Sequence, residues 1–143
     1  MSSSITRTVP EVGYLDREIH ETFGFAQMVR TGPFVHISGI APVTGSLTTL
    51  RLVGNTATEQ LQFILDIMRK LLASEGLKPD SLASWTIYCI DTPAVLEAMP
   101  SVRDFVGDHW PASTLLGVTS LFVPGQLVEI SALAYDAGFP ATR

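Results

Sequence analysis

The chain has 143 residues, a length that suits one domain, and its 46% hydrophobic and 16% charged content excludes a disordered or fibrous protein. A net charge of −5 with scattered Lys and Arg argues against nucleic acid as a main partner, because a phosphate-binding surface needs clustered cations. The one cysteine, Cys89, rules out an internal disulfide framework; with no apolar run of signal-peptide or membrane-span length, the expectation is a cytoplasmic protein that does not enter a membrane.

Residues 1–22 are polar and read as an irregular arm whose last part docks, ahead of a single domain over 23–136 and a short tail over 137–143. "FGFAQMVRTGPFVHISG" reads as a hairpin, two apolar runs around Thr31-Gly32-Pro33. An extended stretch follows, with a turn at Thr44-Gly45-Ser46. Thr56 and Glu59 then form a capping box that opens a long helix. Leu61, Ile64, Leu65, Met68, Leu71 and Leu72 recur at spacings of three and four, giving one apolar stripe that Gly76 closes.

"LASWTIYCID" is rich in β-branched and aromatic residues and reads as a strand. Thr92-Pro93 marks a cap and a first-turn proline, starting a second helix that Pro100 kinks or splits and Gly107 ends. Two strands joined across a Pro-Gly turn complete the domain. The fold class is therefore α+β, one sheet with two helices on a single face. Alternation places Leu115, Leu127 and Leu133 on the same uncovered face as Ser113, Gly117, Glu129 and Ser131. That mixed face, together with the sparse charge, points to an oligomer.

No phosphate loop or metal-ligand spacing is present, so neither a cofactor nor a metal is expected. His20, His36 and His109 read as structural or surface residues, and Cys89 as a buried structural thiol. Glu129 is different. A carboxylate between Val128 and Ile130 in an apolar strand loses hydration if buried, so it needs a partner, a proton or a water-filled cleft. An exposed acid or an interface ion pair is the ordinary alternative.

The tail supplies a resemblance. "PAST", a Val-containing strand, a Pro turn and "LVEISALA" resemble the C-terminal signature of the Rid family, the reactive intermediate deaminases also called YjgF-like or L-PSP-like proteins. "FAQMVRTGPFVHISGIAP" is similar to that family's N-terminal hairpin, "TEQLQFILDIMRKLLASEG" to its long helix and "WTIYCID" to its third main strand, so the likeness covers roughly residues 23 to 136.

The resemblance implies a chorismate-mutase-like mixed sheet assembled as a homotrimer, with small-molecule clefts between subunits. It also implies hydrolysis of an imine or enamine with release of ammonia and no cofactor. By it, Glu129 is the catalytic glutamate, acting through water, and Ser38 and Gly39 line the cleft. Ser113, followed by Thr114, stands where the family's arginine grips the substrate carboxylate. Phe25 replaces a tyrosine, Met99 an asparagine, and Leu115 a cysteine or threonine.

A serine hydroxyl cannot give the bidentate, charged grip of a guanidinium. The expected substrate is thus a neutral or apolar reactive intermediate, not a typical 2-imino acid. Arg30 or Arg103 is the candidate stand-in for the missing cation. The alternative is a non-catalytic trimer of the same fold that binds a small ligand.

Overall fold

Eight buried apolar side chains on one helix and the inward face of a sheet organise this protein, seen in a computed structural model that describes residues 4–140. The sheet has six strands: β1 (Ile5–Thr8), β2 (Met28–Thr31), β3 (Phe34–Ile40), β6 (Leu82–Cys89), β7 (Ala112–Gly117) and β8 (Val128–Tyr135). Their spatial order is β1-β2-β3-β8-β6-β7, antiparallel throughout except for the parallel β6–β7 pair. A separate two-stranded ribbon joins β4 (Val43–Thr44) to β5 (Arg51–Leu52). The helices are α1 (Arg17–Phe23), α2 (Ala57–Ser74), α3 (Thr92–Glu97) and α4 (Met99–Val106).

The hairpin is as expected: Thr31 pairs with Phe34 around a two-residue Gly32-Pro33 turn, with Gly32 at φ 61°. So is α2. Leu61, Ile64, Leu65, Met68, Leu71 and Leu72 are all buried, and they pack against Val35, Ile37, Ile87, Val128 and Ile130 of the sheet. Gly76 lies at φ 74°, and two bonds close the helix, Leu77 N–H to Leu72 O at 2.9 Å and Gly76 N–H to Ala73 O at 3.0 Å. This is the Schellman arrangement, which only a residue at ease in the left-handed region forms without strain.

Thr56 caps α2 as expected, but the bond from the Glu59 carboxylate and the cap of the second helix each fall one residue earlier than expected. Thr56 Oγ1 accepts from Glu59 N–H at 3.1 Å, but the Glu59 carboxylate reaches past Thr56 to Asn55 N–H at 2.8 Å. At the second helix the cap is Asp91, whose carboxylate accepts from Ala94 N–H at 3.3 Å, and Thr92 is already helical. Asp accepts at a cap as readily as Thr, and nothing local distinguishes two adjacent candidates. Pro100 splits that segment into α3 and α4, as its missing N–H requires.

Two expectations are corrected. Residues 4–22 are not an irregular arm: β1 adds an edge strand to β2, and α1, in the part expected to dock, buries Ile19 and His20. The terminal strands also do not lie side by side, because β6 is inserted between them. β7 runs parallel to β6 after the α3–α4 crossover that a parallel pair needs. The register sets Ser113 beside Trp85 and Leu115 beside Ile87, on the helix side, and Thr114 beside Thr86 on the open side. Ser113, Leu115 and Gly117 thus face away from Glu129, while Ser131 and Leu133 do share its face. Leu127 precedes β8 and packs partly against the core.

The open face is mixed, as the sequence suggests. Tyr88 and Ser131 hydroxyls meet at 3.2 Å, Phe34 and Tyr135 rings meet edge-on at 5.4 Å, and Leu116 is exposed on β7.

One buried amide ties the helix layer to the loop before β8. Gln60 is fully buried on α2; its Oε1 accepts from Leu127 N–H at 2.7 Å, and its Nε2 donates to Gly54 O and Gly125 O. Replacing it with leucine keeps the bulk but strands the Leu127 N–H and two carbonyls. The Gln60→Leu variant is expected to lose about 1–3 kcal/mol of stability or more, read from the shift in its urea unfolding midpoint.

Candidate functional site

The geometry around Glu129 begins with a defect in the sheet. Ile37 pairs with Ala132 and Ile40 with Ile130, so Ser38 and Gly39 together oppose Ser131 alone. This β-bulge lets Ile37 and Ile40 both face the core although three residues separate them, and it re-aims the backbone between them. A Cβ on Gly39 would overlap the Glu129 Oε2 atom and lie 3.1 Å from its carboxyl carbon. Gly39 has no positive φ, so glycine is required here for space and not for conformation.

Glu129 is half-buried on the central strand β8, and its Oε1 accepts from the Gln126 amide nitrogen at 3.1 Å. Gln126 is itself buried: the same nitrogen donates to Val128 O, and its Oε1 accepts from Val123 N–H. The amide is thereby oriented as a donor to the acid. Gln60 holds the adjacent residues 125 and 127, so a chain of two glutamines connects α2 to the carboxylate.

The carboxylate opens on a cavity of about 430 Å3. Ser38, Gly39 and Ala41 from β3 and the residue after it, Tyr14, Leu15, Ile19 and Phe23 from α1 and the loop before it, and Phe25 and Phe122 line it with the acid. Glu129 is the one charged side chain in that lining; among the described residues no Arg, Lys or His contributes to it. The Ser38 hydroxyl donates to Ala26 O at 2.7 Å, and among the described residues no group donates to its oxygen. Phe25 packs on the buried His20 ring at a centroid distance of 4.5 Å. Gln27 donates to Ser38 O and so presents its carbonyl to His20, which fixes the hydrogen of that ring on Nε2.

Tyr14 was not anticipated from the sequence. It sits in the loop before α1, and its hydroxyl oxygen accepts from Ala41 N–H at 2.7 Å. Burial pushes the phenol well above its usual value of 10; the hydrogen bond from Ala41 opposes the rise, and the negative charge of Glu129 adds to it. The ring therefore remains neutral beside the acid. Gln126 was missed as well. Both lie in segments with no periodicity to draw attention to them.

The other expected site residues are elsewhere in this chain. Ser113 and Thr114 border a different cavity of about 490 Å3 with Trp85, Thr86 and Ser131. Ser113 Oγ accepts from the Trp85 indole N–H at 3.0 Å. Leu115 and Met99 pack partly against the core. Within the single chain neither Arg30 nor Arg103 lines the Glu129 cavity. Arg30 is bound to Glu75 at 3.0 Å and Asp136 at 3.2 Å, and Arg103 donates to Gly107 O and lies over the Trp110 ring. Among the described residues no group of three or more His, Cys, Asp or Glu gathers as a metal site, and no helix is long and apolar enough to cross a membrane.

The six-stranded mixed sheet with helices packed on one face matches the fold of YjgF-family proteins. The chain belongs to the family described as Endoribonuclease L-PSP, whose model matches residues 16–136. A Mycobacterium tuberculosis member of the YjgF/YER057c/UK114 family superposes with a TM-score of 0.76 at 25% identity, covering 92% of this chain and 99% of the other. Yeast Mmf1 gives a TM-score of 0.79 at 18% identity over 93% and 99% of the two chains, which shows the fold alone. A Yersinia pestis Rid-family protein of unknown function gives 0.69 at 23% identity over 78% and 86%. No curated protein matches the chain.

The protonated state of Tyr14 has a measurable consequence for stability. Above the usual phenol value of 10 the unfolded chain releases a proton that folded Tyr14 retains, so stability is full below that pH and falls as pH rises beyond it. Urea unfolding of wild type and Tyr14→Phe between about pH 9 and about pH 11 is expected to show the wild-type advantage shrinking toward the alkaline end.

Proposed function

We propose that this chain forms a homotrimer whose subunit clefts hydrolyse an enamine, imine or related reactive intermediate without a cofactor, with Glu129 as the general acid/base. Membership of the family supports a small-molecule deaminase or related function at family level. The observation that carries the reading is a cavity whose one charge is the carboxylate of Glu129 amid aromatic, aliphatic and hydroxyl groups.

In the reaction, the carboxylate takes a proton from water as the water oxygen bonds to the C=N carbon. The proton passes to nitrogen to give a carbinolamine; Glu129 then takes its hydroxyl proton and delivers it to the amine as the carbonyl forms, the C–N bond breaks and ammonia leaves. One water is consumed and the acid is returned to its starting state. General acid–base help of this kind contributes on the order of 10²–10⁴ in rate.

The substrate side of the reading rests on charge. A 2-imino acid would bring its carboxylate toward Glu129 with no cation to offset the repulsion. A neutral, largely apolar intermediate meets no such penalty. The trimer reading rests on separation: Ser113, Thr114 and Leu115 belong to edge strand β7, and Ser113 and Leu115 lie across the sheet from Glu129. A second copy is the source from which such residues would reach the Glu129 cavity. The exposed Ile5, Phe34, Leu116 and Tyr135 give the assembly an apolar surface to bury.

A non-catalytic ligand-binding trimer is the second reading, and it is favoured by one fact: the arginine position is a serine already engaged by Trp85. Ribonuclease activity, which the family description names, finds little support in a net charge of −5 with dispersed cations.

Glu129→Gln separates the first two readings. Under the catalytic reading, ammonia release from a neutral imine drops by about 10² or more while the trimer persists; under the binding reading there is no turnover to lose, and affinity changes little. With 2-aminoacrylate the wild-type protein is expected to show little or no hydrolysis. Robust turnover of that acid would contradict the neutral-substrate reading. Sedimentation equilibrium is expected to return three times the 15.5 kDa chain mass; a stable monomer would remove the shared cleft altogether.

A further inference from the structure

The cavity beside Glu129 holds a second polar group whose role differs from that of the acid. Tyr14 lies outside residues 16–136, the part of the chain that the family model matches. Its hydroxyl oxygen is occupied as an acceptor by Ala41 N–H, and no acceptor for its own proton is found among the described residues. Ala41 lies two residues beyond Gly39 of the bulge, so this bond ties the phenol to the strand end that faces the carboxylate. The ring is 92% buried by its 8% exposure and packs near Phe63 at 6.5 Å, so it is held in place.

We propose that Tyr14 is a substrate-contacting hydrogen-bond donor of this cavity, selecting molecules that present a neutral oxygen or nitrogen acceptor next to the group handled by Glu129. An oxygen that already accepts a backbone N–H has a hydrogen to offer, and a phenol kept neutral by its surroundings offers it as a donor at ordinary pH. The acceptor it favours is neutral because an anion placed there would also stand close to Glu129. Leu15, Ile19, Phe23, Phe25 and Phe122 complete the description of the ligand: an apolar, preferably aromatic body with one carbonyl-type or imine-type acceptor. The inference rests on the Glu129 cavity being the ligand site.

The test compares acetophenone with 2-phenylpropene, which have nearly the same shape but differ in whether the end of the double bond is oxygen or methylene. Dissociation constants are measured by ligand-observed NMR with the full-length assembled protein. Wild type is expected to prefer acetophenone by about three- to tenfold, the worth of one net neutral hydrogen bond. Tyr14→Phe is expected to abolish the preference by weakening acetophenone alone.

A preference that survives in Tyr14→Phe, or equal weakening of both probes, would overturn the role of Tyr14 while leaving the cavity as the ligand site. Failure of both probes to bind wild type would overturn that reading of the cavity and this inference together. Should Tyr14→Phe not fold, 3-fluorotyrosine at position 14 keeps the shape and strengthens donation. The preference should then rise, and an unchanged ratio would count against the proposal.

Discussion

Glu129 occupies the middle of the sheet, with β3 on one side and β6 on the other, and a carboxylate there must be given room and a partner or it opposes folding. Room comes from β3, where the bulge and the missing side chain of Gly39 leave space for the acid. The partner comes from Gln126, one residue of a loop that Gln60 grips from α2. These features depend on one another. A side chain at position 39 would displace the acid, and a loop released from α2 would carry Gln126 away from it.

The same constraint sets the electrostatic character of the cavity. Its anion is half-desolvated and its other walls are aromatic, aliphatic or hydroxyl-bearing, so the local field favours neutral or cationic molecules. The second polar cluster, around Ser113, is built on an edge strand and is satisfied in part by Trp85. A single chain thus holds two sets of groups that its own sheet keeps apart. In the proposed trimer, one copy's edge would meet another copy's bulge.

Much of this was legible in the sequence because it is local. The α2 stripe repeats within five turns, the Gly32-Pro33 turn lies between the two runs it joins, and Pro100 breaks its helix by its own chemistry. Glu129 stood out because a charge contradicts its apolar neighbours. The unreadable parts depend on distant partners. Gln60 and Leu127 are 67 positions apart, and nothing near either residue announces the bond. The insertion of β6 between β7 and β8 is likewise a non-local choice, and it reversed the face assigned to Ser113 and Leu115. The short α1 buries only Ile19 and His20, too few for a recognisable stripe, and so the loop that delivers Tyr14 looked unstructured.

Arg30 deserves a last consequence. It neutralises two acids at once, Glu75 at the end of α2 and Asp136 at the end of β8, and all three side chains are about four-fifths shielded. Were that guanidinium recruited to grip an acidic metabolite, the two carboxylates would be left confronting each other in a poorly hydrated corner. That cation is therefore committed to architecture, and a descendant of this protein that came to prefer acidic metabolites could not redeploy it without exposing that conflict.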